Sequence, residues 1–173
     1  MSSDSVRLPR RQASILLGLG LAALLAGCQV RPLYDEASGT SENLAAIAYS
    51  DVGSRVGLEV RNRLIFLSSG GAGEAKTPQY RVQLNVTSSV SGVELQRNTD
   101  NPNVGRVIVT ASYTLKRISD DVTLRTARRQ TVALVDFPEQ EFAKRRAILN
   151  GEDRAAHQLA ELIRADLAAT LGR

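Results

Sequence analysis

The side chain with the most chemistry to offer is Cys28, the only cysteine among 173 residues. It closes the tetrapeptide Leu25-Ala26-Gly27-Cys28 at the end of an apolar run that starts at Ile15 and follows Arg7, Arg10 and Arg11. Its plainest structural reading is a buried free thiol in a core helix, but that leaves Arg10 and Arg11 beside an apolar helix with no evident partner. The run from Ile15 to Ala26 is 12 residues long, whereas crossing the hydrocarbon of a bilayer takes about 20. That is the size of the apolar region of an export signal.

Other reactive groups carry less. His157 is the sole histidine, and it sits in a helical pattern among Asp153, Arg154 and Glu161, which suits a surface position. A metal centre needs several convergent donors, and there is no second histidine or spare cysteine to supply them. No serine lies in Gly-x-Ser-x-Gly. Asp120-Asp121 reads as turn chemistry, not as a carboxylate dyad. The glycine-rich Ser68–Gly73 segment follows a helix pattern instead of preceding one and lacks a Gly-Lys-Ser/Thr ending, so it reads as a connector. These residues nominate no catalytic group and no metal site, and the expectation is a protein that is not an enzyme.

The Leu-Ala-Gly-Cys sequence resembles the lipobox of bacterial lipoproteins. That resemblance implies cleavage after Gly27, with a diacylglycerol on the Cys28 thiol, an N-acyl chain on its new terminus, and no other cofactor. Arg10-Arg11 as a twin-arginine signal is the weaker alternative, because Pro9 and Gln12-Ala13 fit that pattern poorly. Removing residues 1–27 leaves 146, the size of one domain. The leader holds three arginines and one aspartate, so the net charge falls from +4 to +2. So small a charge gives no reason to expect nucleic acid, and without Trp there is no evident stacking platform for bases. An acylated Cys28 leaves no disulfide, so stability must come from packing.

The elements follow from periodicity. Residues 28–43 are polar and read as a tether, and the domain proper is expected from Leu44 to Arg173. Leu44 to Tyr49 reads as a short first strand. Val56, Val60, Leu64 and Leu67 recur at helical spacing between a Ser54 N-cap and a Gly70-Gly71 stop. Arg55, Glu59 and Arg63 are spaced four apart on the opposite face and suggest an ion-pair row along that helix. Three segments alternate as half-buried strands: Gln79–Val90, Arg106–Ile118 and Val122–Val135. Ser119-Asp120-Asp121 joins the last two as a hairpin, and Gly92–Gly105 reads as a long surface loop. Glu139–Leu171 is a helix with a stripe of Phe142, Ala147 or Ile148, Ala155, Leu159, Leu162, Ile163 and Leu167, in which Asn150-Gly151 predicts a kink or break. The order predicts an α+β two-layer sandwich, a four-stranded sheet with two helices packed on one face. Strands that alternate instead of being apolar throughout leave the other face polar and open to a partner.

Taken together, Cys28 with Arg31-Pro32-Leu33-Tyr34, the helix with Arg61-Asn62-Arg63-Leu64, the three alternating strands and an alanine-rich last helix resemble the LPS-assembly lipoprotein family LptE, in its alphaproteobacterial form. In the last helix the likeness rests on Phe142-Ala143, Ala147, Ala155, Leu159-Ala160 and Ile163. The resemblance spans the mature chain and rests on order and spacing. It implies a lipid-anchored subunit on the periplasmic face of the cell outer membrane that plugs and helps assemble a large β-barrel, LptD, and assists delivery of lipopolysaccharide. Gln29 after the cysteine departs from the aspartate that retains many lipoproteins at the inner membrane, which favours the outer one. An auxiliary lipoprotein of a lipid-trafficking ABC system is the alternative.

A lipopolysaccharide contact needs fixed cations for phosphate. Arg125 and Arg129 share one side of the last strand, with Arg117 near the hairpin, and are expected to form a basic strip on the uncovered face. The competing reading is that they pair with acidic neighbours. Lys144-Arg145-Arg146 reads first as a solvated helix face, with lipid contact as its alternative.

Overall fold

A computed structural model describes residues 39–93 and 104–172. The leader, Cys28, the expected tether as far as residue 38, and positions 94–103 of the expected Gly92–Gly105 loop lie outside the described residues. In chain order the elements are α1 (Thr40–Ala45), β1 (Ile47–Tyr49), α2 (Arg55–Ser69), β2 (Tyr80–Val93), β3 (Val104–Arg117), β4 (Thr123–Asp136) and α3 (Glu141–Leu171). The sheet runs β1-β2-β3-β4, with β1 parallel to β2 and the other pairs antiparallel. This is the expected α+β sandwich, with one short helix more. Part of the segment assigned to the tether is folded: Thr40 opens α1 and is 1% exposed, and Leu44 ends up in that helix instead of the first strand.

Alternation builds the covered layer. Val82, Leu84 and Val86 of β2 and Val107, Val109, Ala111, Tyr113 and Leu115 of β3 are buried, as are Ala133 and Val135 of β4. They meet Val56, Val60 and Leu64 of α2 and Ala155, Leu159, Ile163 and Leu167 of α3. Each fully buried aliphatic side chain contributes about 1.5–3 kcal/mol. Tyr49 ties β1 to α2 through a 2.6 Å hydrogen bond between its hydroxyl and Ser68 Oγ. Burial pushes its phenol up to about 12. On the outer side of β1, Tyr49 N donates to Glu74 Oε1, and Arg61 holds that carboxylate at 2.9 Å.

The caps of α2 are those the sequence predicts. Ser54 Oγ accepts from Gly57 N at 3.0 Å, and Gly70 closes the helix at φ 62°, a left-handed conformation that favours glycine. The ion-pair row takes a different form. Arg55 reaches Glu152 and Asp153, Glu59 reaches His157 Nε2 at 2.7 Å, and Arg63 reaches Glu161, all of them on α3. Partners rise together in number along both helices, so α2 and α3 lie parallel and the row stitches them to each other.

α3 runs unbroken through Asn150-Gly151. The glycine is buried, and a Cβ there would stand 2.4 Å from Val135 Cγ1 and 3.2 Å from Val107 Cγ2. Its role is to let the helix approach the sheet closely. The expected stripe holds at Ala155, Leu159, Ile163 and Leu167 but not at Leu162, which is 45% exposed, and it fails before Ala155, where no residue from Glu141 to Asn150 is buried and Phe142 is 74% exposed.

Candidate functional site

The strand ladders fix which side chains share the uncovered face. Arg81 of β2 stands beside Lys116 of β3; Gln83 beside Thr114 and Thr126; Asn85 beside Ser112 and Arg128; Thr87 beside Thr110 and Gln130. Further along, Ser89 is beside Ile108 and Val132, and Ser91 beside Arg106 and Leu134. The result is a graded surface. Hydroxyls and amides fill its middle, where Gln83, Asn85, Ser112, Thr114 and Thr126 line a shallow hollow. Ile108, Val132 and Leu134 make its far end apolar, with Leu134 63% exposed. Arg81, Arg106 and Arg128 are exposed on it and enter no ion pair among the described residues. Such a face can offer hydrogen bonds across its middle and cations at intervals to a polar or anionic partner.

Arg125 and Arg129 are not on it, which corrects the expected strip. Their ladder partners are Leu115 and Ala111, both buried, so both arginines project to the side covered by helices. There they converge on Asp166 of α3. Arg129 Nε donates to Oδ2 at 2.6 Å and its Nη2 to Oδ1 at 2.8 Å, a forked pair, while Arg125 Nη2 reaches Oδ1 at 3.1 Å. Tyr113 Oη donates to the same carboxylate at 2.7 Å. The donation from Arg129 holds the Asp166 carboxyl below the usual carboxylate range. Burial first, and the bond to Asp166 second, push the Tyr113 phenol up to about 12. The Asp166 side chain is 14% exposed against 42% for Arg129. β4 is the edge strand, so its inward arginines lie along the border of the helix layer, where long side chains keep their heads partly wet. This is a clamp between β4 and α3.

Arg117 pairs with Tyr80 and shares the parity of the buried Leu115 and Tyr113, so it too is absent from the open face, and it binds Asp120 at 3.1 Å beside the hairpin. Asp120 and Asp121 serve the turn, as expected: Asp120 Oδ1 accepts from Val122 N, Asp121 holds φ 54°, and Asp121 pairs with Lys116. His157 is half exposed on its pair with Glu59. Arg81, Arg106 and Arg128 are not singled out by motif or spacing, and the signal that finds cations on this face is strand parity. Arg81 and Lys116 fall on the polar side of the same alternation that defined β2 and β3.

Among the described residues, no three His, Cys, Asp or Glu side chains gather to hold a metal ion. No described helix is long and apolar enough to cross a membrane.

No family model and no curated protein sequence matches the chain. Solved structures share its fold. A chain from Caulobacter crescentus CB15 assigned as a lipoprotein superposes with a TM-score of 0.63 at 18% identity, over 78% of this chain and 96% of that one. The rare lipoprotein B of Shewanella oneidensis does so with a TM-score of 0.54 at 16% identity, over 72% and 92%. A minor lipoprotein of Acinetobacter baumannii gives 0.53 at 8% identity, over the same shares.

Proposed function

We propose that this chain is an outer-membrane lipoprotein of the lipopolysaccharide transport machinery, anchored through acyl chains on Cys28, which plugs an LptD-like β-barrel, aids its assembly and assists delivery of lipopolysaccharide to the cell surface. The observation that carries the reading is the uncovered sheet face. A folded body that sits in the polar lumen of a barrel needs a broad surface of hydrogen-bonding groups with few fixed carboxylates. The hydroxyl and amide rows between Gln83 and Gln130 supply that surface, and Arg81, Arg106 and Arg128 add cations matched to the phosphates of lipopolysaccharide. The sequence resemblance to the LptE family and the fold shared with lipoproteins of three bacteria support the same reading.

The test is capture of the tagged, full-length chain from membranes in mild detergent. A large β-barrel protein should come down with it in stoichiometric amount. Capture of an inner-membrane permease instead overturns the barrel reading in favour of a lipid-trafficking ABC system.

A further inference from the structure

The first third of α3 has no role in the core. No residue from 141 to 150 is fully buried, and full burial along the helix begins only at Gly151. Within this segment Phe142, Arg145, Arg146 and Leu149 stand at i, i+3, i+4 and i+7, so they line one face of the helix. All four are exposed, Phe142 at 74% and Leu149 at 39%, while Ala143, Lys144, Ala147 and Ile148 on the other side are half-buried. Arg145 and Arg146 enter no ion pair among the described residues, and the Arg146 guanidinium lies 5.9 Å from the Phe142 ring centre.

We infer that this stripe lies on the surface of an anionic phospholipid bilayer, with Phe142 and Leu149 entering the boundary between headgroups and acyl chains and Arg145 and Arg146 meeting lipid phosphates. Two apolar anchors flanking two cations on about 10 Å of helix are the composition of an interfacial contact. The cations select lipid over a neutral protein groove, since an apolar groove gives an arginine pair no counter-charge. The polar lumen of a barrel gives an exposed phenylalanine ring no apolar site. The inference rests on the anchor reading in one respect: acyl chains on Cys28 would hold the domain beside such a surface.

Full-length chain is reconstituted with vesicles containing phosphatidylglycerol and phosphatidylcholine. A fluorophore is placed on F142C or L149C, or on Q158C as an exposed control further along α3; acylated Cys28 does not compete for the label. Lipids carrying a nitroxide on the acyl chain should quench the labels at 142 and 149 and spare the one at 158. The double change R145E/R146E, checked for unchanged circular dichroism, should reduce quenching at 142 and 149 to the level at 158, and so should replacing phosphatidylglycerol by phosphatidylcholine. In phosphatidylcholine alone the label at 142 should stay open to iodide from the water. Protection from iodide there puts protein on the stripe and overturns the inference. Absence of quenching overturns it, as does quenching that ignores the charge reversal or that requires lipopolysaccharide in place of phosphatidylglycerol. Flotation scores the anchor separately, with quenching read on chain and vesicles mixed in either case, so failure to float counts against Cys28 and floating without quenching counts against the stripe.

Discussion

Arg128 and Arg129 are consecutive in β4, yet they belong to different proteins in all but the covalent sense. Arg129 points under the helices into a forked pair with Asp166, which also receives Arg125 and Tyr113. Arg128 points to the other side, beside Asn85 and Ser112 on a face that no described element covers. One cation is committed to holding the fold together, and the other is free for a partner. In a sheet covered on one side, the parity of a position in its strand decides whether a charge is structural or available, and residue type decides neither.

Changes to the covered side should cost stability in proportion to what they bury. Leu159→Ala, at a fully buried position between α3 and the sheet, is expected to lower unfolding free energy by about 3 kcal/mol in urea titration. Asp166→Asn comes next, at about 2 kcal/mol, since it removes the charge that two guanidiniums share. It also carries a pH signature. The Asp166 carboxyl is held below its ordinary value, chiefly by Arg129. Its contribution is therefore fully present above the unfolded carboxylate pKa, about 3.9, and is lost as pH falls through the lower folded value. Wild type should lose stability steeply on acidification below about pH 4, and the variant less so. An Asp166→Asn chain with wild-type stability and the same acid profile would show that the two faces do not differ as claimed.

The same contrast explains what could be read from the residues. Ser54 and Gly70 mark the ends of α2 because capping is local chemistry, and β2 and β3 are legible because only one parity in each is continuously apolar. β4 is ambiguous: Val132 and Leu134 on one parity compete with Ala133 and Val135 on the other. The larger pair faces outward and the smaller lies under α3, with Val135 against Gly151, so the parity that carries Arg125 and Arg129 is the covered one. Their partner Asp166 lies 41 and 37 residues away, beyond any local pattern. Arg55, Glu59 and Arg63 have matching partners at the same spacing in Asp153, His157 and Glu161, but only the parallel packing of α2 and α3 reveals that the row joins two helices. Gly151 breaks helices by propensity, and here it serves closeness to Val135, a requirement set by the sheet.

The smallest expected effect on the fold sits on the open side, and it bears most on function. Arg81→Ala with Arg128→Ala removes two exposed cations with no ion pair among the described residues, so unfolding free energy should change by about 0.5 kcal/mol or less. If that face meets the polar partner, the double variant should bring down less of the barrel in detergent capture and retain less lipopolysaccharide, with the difference from wild type narrowing as salt rises and screens the attraction that the two arginines supply. Arg125→Ala should do the reverse, loosening the clamp and leaving capture by the folded fraction unchanged. Should Arg125→Ala impair capture at full stability while the Arg81/Arg128 pair does not, the partner would have to approach along the β4 border of the helix layer, and the open face would lose its assignment.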